Sequence, residues 1–309
     1  MNQAKTFFLR LTIIAASLVL ADVTIGNLLA HYYSRIKHGE EGRLNYTMDS
    51  MTTPLIVLGG SRALRQYVPS ILADSLHQQA YNAGEDKQGV FYCLAVLTTA
   101  LRRYHPQTVL IDVTPIVFTA KDAAIDDLSV LLPYYHQHAE IRPYLDLRSP
   151  WEKYKTLSTL YCYNSEPLRI LYRTLSNAEF KGADRGYLPN FDTLPPANAV
   201  EYSSDLLTDA PNPTVVTAFE KFLQLAQDNH CRVAAICSPV YFPNTGGSST
   251  TRSVADICRR KNVPFLDYST SPVFCGRSAL FYEAHHLNDS GARCFTRILA
   301  SDLTTKGFR

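Results

Sequence analysis

The chain has 309 residues, 46% of them hydrophobic and 19% charged, with a formal net charge of +2. That is enough for one large α/β domain with a long insertion or for two small domains, and the composition is that of a globular protein. The near-neutral balance leaves no basic stripe, which argues against nucleic acid as a partner.

The N-terminus departs from this soluble pattern. Lys5 and Arg10 precede an apolar run from Leu11 to Ala21; Asp22 interrupts it, and apolar residues continue to Ala30. A cleavable signal peptide fits the positive start, the short apolar core and the small Ala21. A retained anchor fits the whole stretch from Phe7 to Ala30, long enough to cross ~30 Å of hydrocarbon at ~1.5 Å per residue. In the anchor reading Arg10 stays on the cytoplasmic side, and Asp22 and Asn27 lie towards the far interface, where polar groups cost less. Residues 1–30 are therefore expected to be a signal-anchor or transmembrane segment, and the polar residues 31–53 a stalk and entry segment.

From Pro54 onward the pattern is α/β. Pro54–Gly60 is a short apolar run ending in glycines, suited to a buried parallel strand. A helix is expected over Val68–Gln78 with Pro69 near its start, a second strand over Ala80–Gly84, a strongly apolar helix over Gly89–Tyr104 and a third strand over Thr108–Val113. Residues 118–212 are far longer than an ordinary connection and read as a helical insertion rich in Tyr and Leu. The chain has 19 Tyr, many of them here, and its only Trp, Trp151. Aromatic faces stack on sugar rings or acyl chains, which makes Tyr135 and Trp151 candidate substrate-binding residues on a lid or platform. The same aromatics could equally form the insertion's own small core. A helix follows over Thr214–His230, a strand over Arg232–Ser238, a helix over Ser249–Lys261, a strand over Val263–Tyr268 and a closing helix over Asn288–Leu303. This alternation implies a flavodoxin-like three-layer α/β sandwich over residues 54–309, with a mostly parallel five-stranded sheet. Function in such sheets sits at the carboxyl ends of the strands.

Two segments there carry chemistry. In LIVLGGSRAL, Ser61 follows two glycines at the end of the first strand, where a hydroxyl can face a cleft and the Ser61 N–H lies at a helix entrance. In FYEAHHLNDSGA, His286 lies in a loop just before the last helix, and Glu283 is close enough to orient its imidazole. His285 is the rival base; the Leu-Asn after His286 favours His286. His136 and His138 are two apart, and no carboxylate or Cys cluster completes a metal site around them, so no metal is expected. Seven scattered cysteines give no disulfide framework and read as buried apolar thiols.

Taken together, LGGSRAL, YNAGED, SPVYFP and the Glu283-Ala284-His285-His286-Leu287-Asn288 run followed by Gly291-Ala292 resemble the SGNH/GDSL hydrolase superfamily. They look most like the branch containing membrane-associated polysaccharide O-acetylation and lipoteichoic-acid D-alanylation proteins. The resemblance spans roughly 54–299, with the insertion unmatched. It implies Ser61 as nucleophile, His286 as base, Glu283 as the acid that orients it, and an oxyanion hole from the Ser61 and Gly84 backbone N–H groups. The pattern departs in two places: the acid is Glu rather than Asp, and Thr114 stands where the family often has an oxyanion-binding Asn.

The expected function is a serine-dependent ester hydrolase or O-acyltransferase acting on an envelope or extracellular glycan through an acyl-enzyme on Ser61, with no cofactor. The expected location is the membrane, with the catalytic domain on the periplasmic or extracellular side. The resemblance admits a membrane-embedded acyl-transfer partner. The alternative is a catalytically inactive envelope protein of the same fold that binds glycan or a membrane partner.

Overall fold

The computed structural model describes residues 3–113, 115, 118, 127–176, 179–195, 211–242 and 249–308. In chain order its principal elements are α1 (Gln3–Tyr33), α2 (Gly39–Asn45), β1 (Leu55–Leu58), α3 (Ser61–Gln66), α4 (Pro69–Leu76), β2 (Ala80–Asn82), α5 (Val90–Leu101), β3 (Thr108–Asp112), α6 (Pro167–Leu175), α7 (Pro213–Asp228), β4 (Arg232–Cys237), α8 (Ser249–Arg260), β5 (Phe265–Asp267), β6 (Phe281–Glu283), β7 (His286–Leu287) and α9 (Asp289–Thr305). The chain forms two compact units, residues 1–46 with 129–178, and residues 47–128 with 179–309.

The second unit is the α/β sandwich expected from the sequence. Its five strands lie in the order β2-β1-β3-β4-β5, every pairing parallel. This is the 2-1-3-4-5 order of flavodoxin-like sheets, whose switch point falls between β1 and β3. Successive strand residues face opposite sides. Leu55 and Val57 of β1, with Leu110, Ala234 and Ile236, meet side chains of α3, α4 and α9 in one buried cluster. Ile56 and Leu58 therefore face the other layer, where α5 and α7 pack on each other. Because both faces are covered, β1 is apolar at every position and fully buried, as parallel strands require. Phe295 of α9 stands edge-on to Tyr67 and Tyr268, each ring pair 5.2 Å apart. Such pairs add roughly 0.5–1.5 kcal/mol beyond area burial.

The first unit holds α1, whose exposed apolar side chains make it long and apolar enough to cross a membrane, as an anchor or a signal sequence would be. Residues 31–46, read above as part of a stalk, are folded. In α2, Glu41 is almost wholly buried and pairs with Arg169 at 2.7 Å and Arg173 at 3.0 Å. Asn45 donates to the carbonyls of Tyr33 (2.7 Å) and Ile36 (3.0 Å) and accepts from the Tyr134 hydroxyl at 2.8 Å. A polar, glycine-bearing run becomes a helix here because distant partners satisfy its charges. The insertion is likewise divided. Residues 129–178 belong to this unit, whereas Tyr187, Leu188 and Leu194 are buried in the second.

Candidate active site

The carboxyl end of β1 delivers Ser61 as the first residue of α3. The turn before it tolerates only glycine. Gly59 has φ +150°, and a Cβ there would lie 2.7 Å from the Ala63 side chain; a Cβ on Gly60 would lie 2.6 Å from the Gln88 carbonyl oxygen. As the first residue of its helix, Ser61 has an N–H with no intrahelical acceptor.

Glu283 and His286 come from a small antiparallel hairpin. Glu283 of β6 and His286 of β7 are direct cross-strand partners across the two-residue turn Ala284–His285. That pairing explains why a spacing of three brings them together. The hairpin tip is tied from two sides. Tyr241 N–H donates to the Ala284 carbonyl at 3.0 Å, and Gln66 of α3 donates through Nε2 to the His285 carbonyl at 2.9 Å. At the next turn Asn288 caps α9 by accepting from Gly291 N–H at 3.0 Å. Gly291 is needed because a Cβ there would lie 2.1 Å from the Leu280 carbonyl oxygen.

His286 Nε2 lies 2.8 Å from Ser61 Oγ, and His286 Nδ1 is hydrogen-bonded to Glu283 Oε1. With Nδ1–H donated to the carboxylate, Nε2 is the free acceptor for the serine proton. Burial works against ionisation of Glu283, but the hydrogen bond and positive charge of His286, aided by His285, outweigh it and hold the carboxyl below its usual range. His285 is also lowered from its usual value. Burial, then the charges of Arg62 and His286, lower its basicity despite the attraction of Glu283. Ser61, Glu283 and His286 are thus brought into one relay, and His286 rather than His285 is bonded to Ser61.

Gly84 is the second residue that the resemblance implies for the oxyanion hole. Its N–H donates to Asn82 Oδ1 at 3.0 Å. The glycine also allows close approach, since a Cβ would lie 2.6 Å from Leu64 N and 2.8 Å from Ala63 Cβ. The residue that sequence reasoning missed is Asn82. Fully buried on β2, it donates through Nδ2 to the carbonyls of Ala63 (2.7 Å) and Tyr67 (2.9 Å), tying β2 to the middle of α3 and to the residue that ends it. Its one sequence signal is a lone amide in an otherwise apolar strand. Arg62, also buried, donates to the carbonyls of Ser238 and Pro239 (3.3 Å for the latter) and ties α3 to the end of β4. Thr114 lies outside the described residues.

Tyr135 and Trp151 belong to the first unit, whereas the relay belongs to the second. Tyr135 is buried, donates its hydroxyl to Asp146 at 3.2 Å and lies under the Arg142 guanidinium. Those contacts are those of a core residue of its own unit. Trp151 is exposed. The cysteines form no disulfide among the described residues. Burial pushes the Cys237 thiol up to about 12, which leaves it a packing group rather than a nucleophile.

No known protein family's sequence profile matches the chain, and no curated protein matches it in sequence. Similar solved structures include one assigned to a lipolytic protein of the G-D-S-L family from Desulfitobacterium hafniense DCB-2, 12% identical, covering 80% of this chain and 98% of its own, with a TM-score of 0.39. An acetyl xylan esterase is 11% identical over 82% of this chain and 99% of its own, TM-score 0.39. A second, from the rumen bacterium Butyrivibrio proteoclasticus, is 10% identical over 82% of this chain and 64% of its own, TM-score 0.36. At such identities the roles of Ser61, Glu283 and His286 rest on their own geometry.

Proposed function

We propose that the second unit is a serine-dependent ester hydrolase or O-acyltransferase. The observation that carries this reading is the Ser61 Oγ–His286 Nε2 distance of 2.8 Å, with the far side of the imidazole bonded to Glu283. Ser61 Oγ attacks the ester carbonyl carbon while its proton passes to His286 Nε2. Glu283 holds Nδ1–H and stabilises the imidazolium. The Ser61 N–H meets the oxygen that gains charge. As the tetrahedral intermediate collapses, His286 returns the proton to the departing alcohol and leaves an acyl group on Ser61. Water or a sugar hydroxyl then gives a proton to His286 and takes the acyl group, releasing an acid or a new ester as His286 returns the proton to Ser61 Oγ. An acylated envelope or extracellular glycan is the substrate class, and α1 is read as the anchor that holds the unit outside the cytoplasmic membrane.

A second reading, a binding protein of the same fold, draws support from Gly84, whose N–H is already bonded to Asn82. One absent oxyanion donor typically costs ~10²–10³ in rate, which slows such a site without abolishing it. The test is kcat/KM on an acetyl ester for Ser61→Ala, His286→Ala and the double variant, each with an unchanged melting profile. Each single variant should lose nearly all turnover and the double should be little worse, because one step needs both groups. Undiminished turnover in Ser61→Ala would overturn the assignment.

A further inference from the structure

The helix α6 is amphipathic in the reverse sense for a water-soluble surface. Its charged side is turned towards α2: Arg173 is mostly buried and pairs with Glu41, while Arg169, 49% exposed, bonds Glu40 and Glu41. Its apolar side is turned outward. Leu168 and Leu175 are 82% and 79% exposed, and Leu171 and Tyr172 between them are exposed as well. These positions, spaced 0, 3, 4 and 7, make one continuous stripe. Water penalises that arrangement, and an apolar medium favours it.

The same unit shows a second stripe of this kind. In the helical turns before α6, Trp151, Tyr154 and Leu157 are exposed, Leu157 to 78%. Lys153 lies over the Tyr154 ring, 5.0 Å from its centroid. Aromatic rings next to lysines are the chemistry of a membrane–water interface.

Both stripes are continuous with α1. The α6 helix packs against α1, and the segment after Leu157 is fastened to it by Asp22. That carboxylate accepts from the Ser158 hydroxyl and from the N–H groups of Thr159 (3.0 Å) and Leu160 (3.3 Å). Gly26, one turn on, lets the backbones touch, since a Cβ there would lie 2.7 Å from Thr159 Cβ and 2.8 Å from Leu160 N. These contacts explain an acid inside an apolar helix, because its charge serves backbone donors that would otherwise stand unpaired in an apolar medium. They also fix depth. Asp22 precedes the end of the apolar stretch at Ala30 by about 12 Å of helix axis at ~1.5 Å per residue. Interfacial helices sink their apolar faces ~5–10 Å into the headgroup–acyl boundary, so the fastened segment lies just beneath that level.

We propose that the first unit is a half-sunken membrane platform, with the apolar faces of α6 and of the Trp151–Leu157 turns embedded in the outer interface of the bilayer that α1 spans. This rests on reading α1 as a retained anchor. The occupant of the two faces is lipid; a second copy of the chain or another protein is an alternative outcome of the test.

Trp151 is the only tryptophan of the chain, so tryptophan emission, excited where tyrosine does not absorb, reports on this surface alone. The full chain is reconstituted into phosphatidylcholine vesicles, with or without bromine on the acyl chains. The expected result is protein that stays with the vesicles through an alkaline wash, with blue-shifted Trp151 emission that brominated lipid quenches strongly and aqueous iodide quenches weakly. The double variant Leu168→Glu and Leu175→Glu should remain vesicle-bound through α1 while its emission moves towards that of a water-exposed ring. Vesicle-bound protein quenched by iodide and indifferent to bromine would overturn the platform while leaving the anchor intact. Resistance to both quenchers would show that protein covers the face and would overturn it too. Loss from the vesicles on washing would overturn the anchor reading and the platform with it.

Discussion

Replacing Glu283 by Gln separates the charge of the acid from its hydrogen bond. The amide oxygen can still accept from His286 Nδ1–H, so the tautomer that leaves Nε2 facing Ser61 at 2.8 Å is retained. What disappears is the attraction between carboxylate and imidazolium that grows as Ser61 gives up its proton. For unit charges about 4 Å apart at an effective dielectric constant of ~20 that attraction is about 4 kcal/mol. Both side chains are partly exposed, Glu283 to 37% and His286 to 23%, and solvent screening roughly halves the figure to about 2 kcal/mol. A loss of that size is about 30-fold in kcat. The assay is kcat and KM on a small acetyl ester for parent and variant at equal folded fraction. A variant within about threefold of the parent would refute the claim that the Glu283 charge takes part in the reaction.

The other predictions follow from the same contacts. Gly84→Ala keeps the backbone N–H but forces a methyl group to within 2.6 Å of Leu64 N. Overpacking of this kind costs ~1–3 kcal/mol, so Tm should fall by at least a few degrees and kcat should fall with it, because α3 begins at Ser61; unchanged values of both would show that the contact is not tight. His285→Ala should leave most ester turnover in place, since His286 carries the bond to Ser61, and a collapse of kcat with an intact melting profile would reverse the two roles. Glu283 titrates below its ordinary value of 4.5 in the folded chain, so its ionised form stabilises the fold above that pH and the benefit is lost as pH falls through the lower, folded value. The stability difference between parent and Glu283→Gln, below about 1 kcal/mol for so exposed a pair, should therefore shrink from pH 7 to pH 3 in urea titrations, and a difference that grows on acidification would contradict the sign.

The elements of the sandwich were legible because parallel strands buried on both faces leave unbroken apolar runs and their helices leave periodic ones. The strand at Leu55–Leu58 and the helix at Val90–Leu101 fall inside the segments read from sequence. The relay was legible for another reason, since Ser61 and His286 sit at a glycine turn and a helix entrance, each with a local signature. What escaped were interactions with no local signature. The clamp of Asn82 on α3 joins residues 15 to 19 apart in the chain, and the same side chain accepts from the Gly84 N–H. The helix Gly39–Asn45 reads as a stalk because its charges find partners in Arg169 and Arg173 about 130 residues away, a tertiary effect that overrides weak propensity. The hairpin Phe281–Leu287 is too short for any periodic pattern to emerge.

The most direct measurement of the central claim is covalent labelling of the full chain with a fluorophosphonate, followed by peptide mass analysis. Ser61, activated by His286 and Glu283, should carry the phosphonyl group. Labelling should be absent in Ser61→Ala and strongly slowed in the folded His286→Ala variant. A folded parent that takes no label, or one labelled at another serine with Ser61 untouched, would contradict the account.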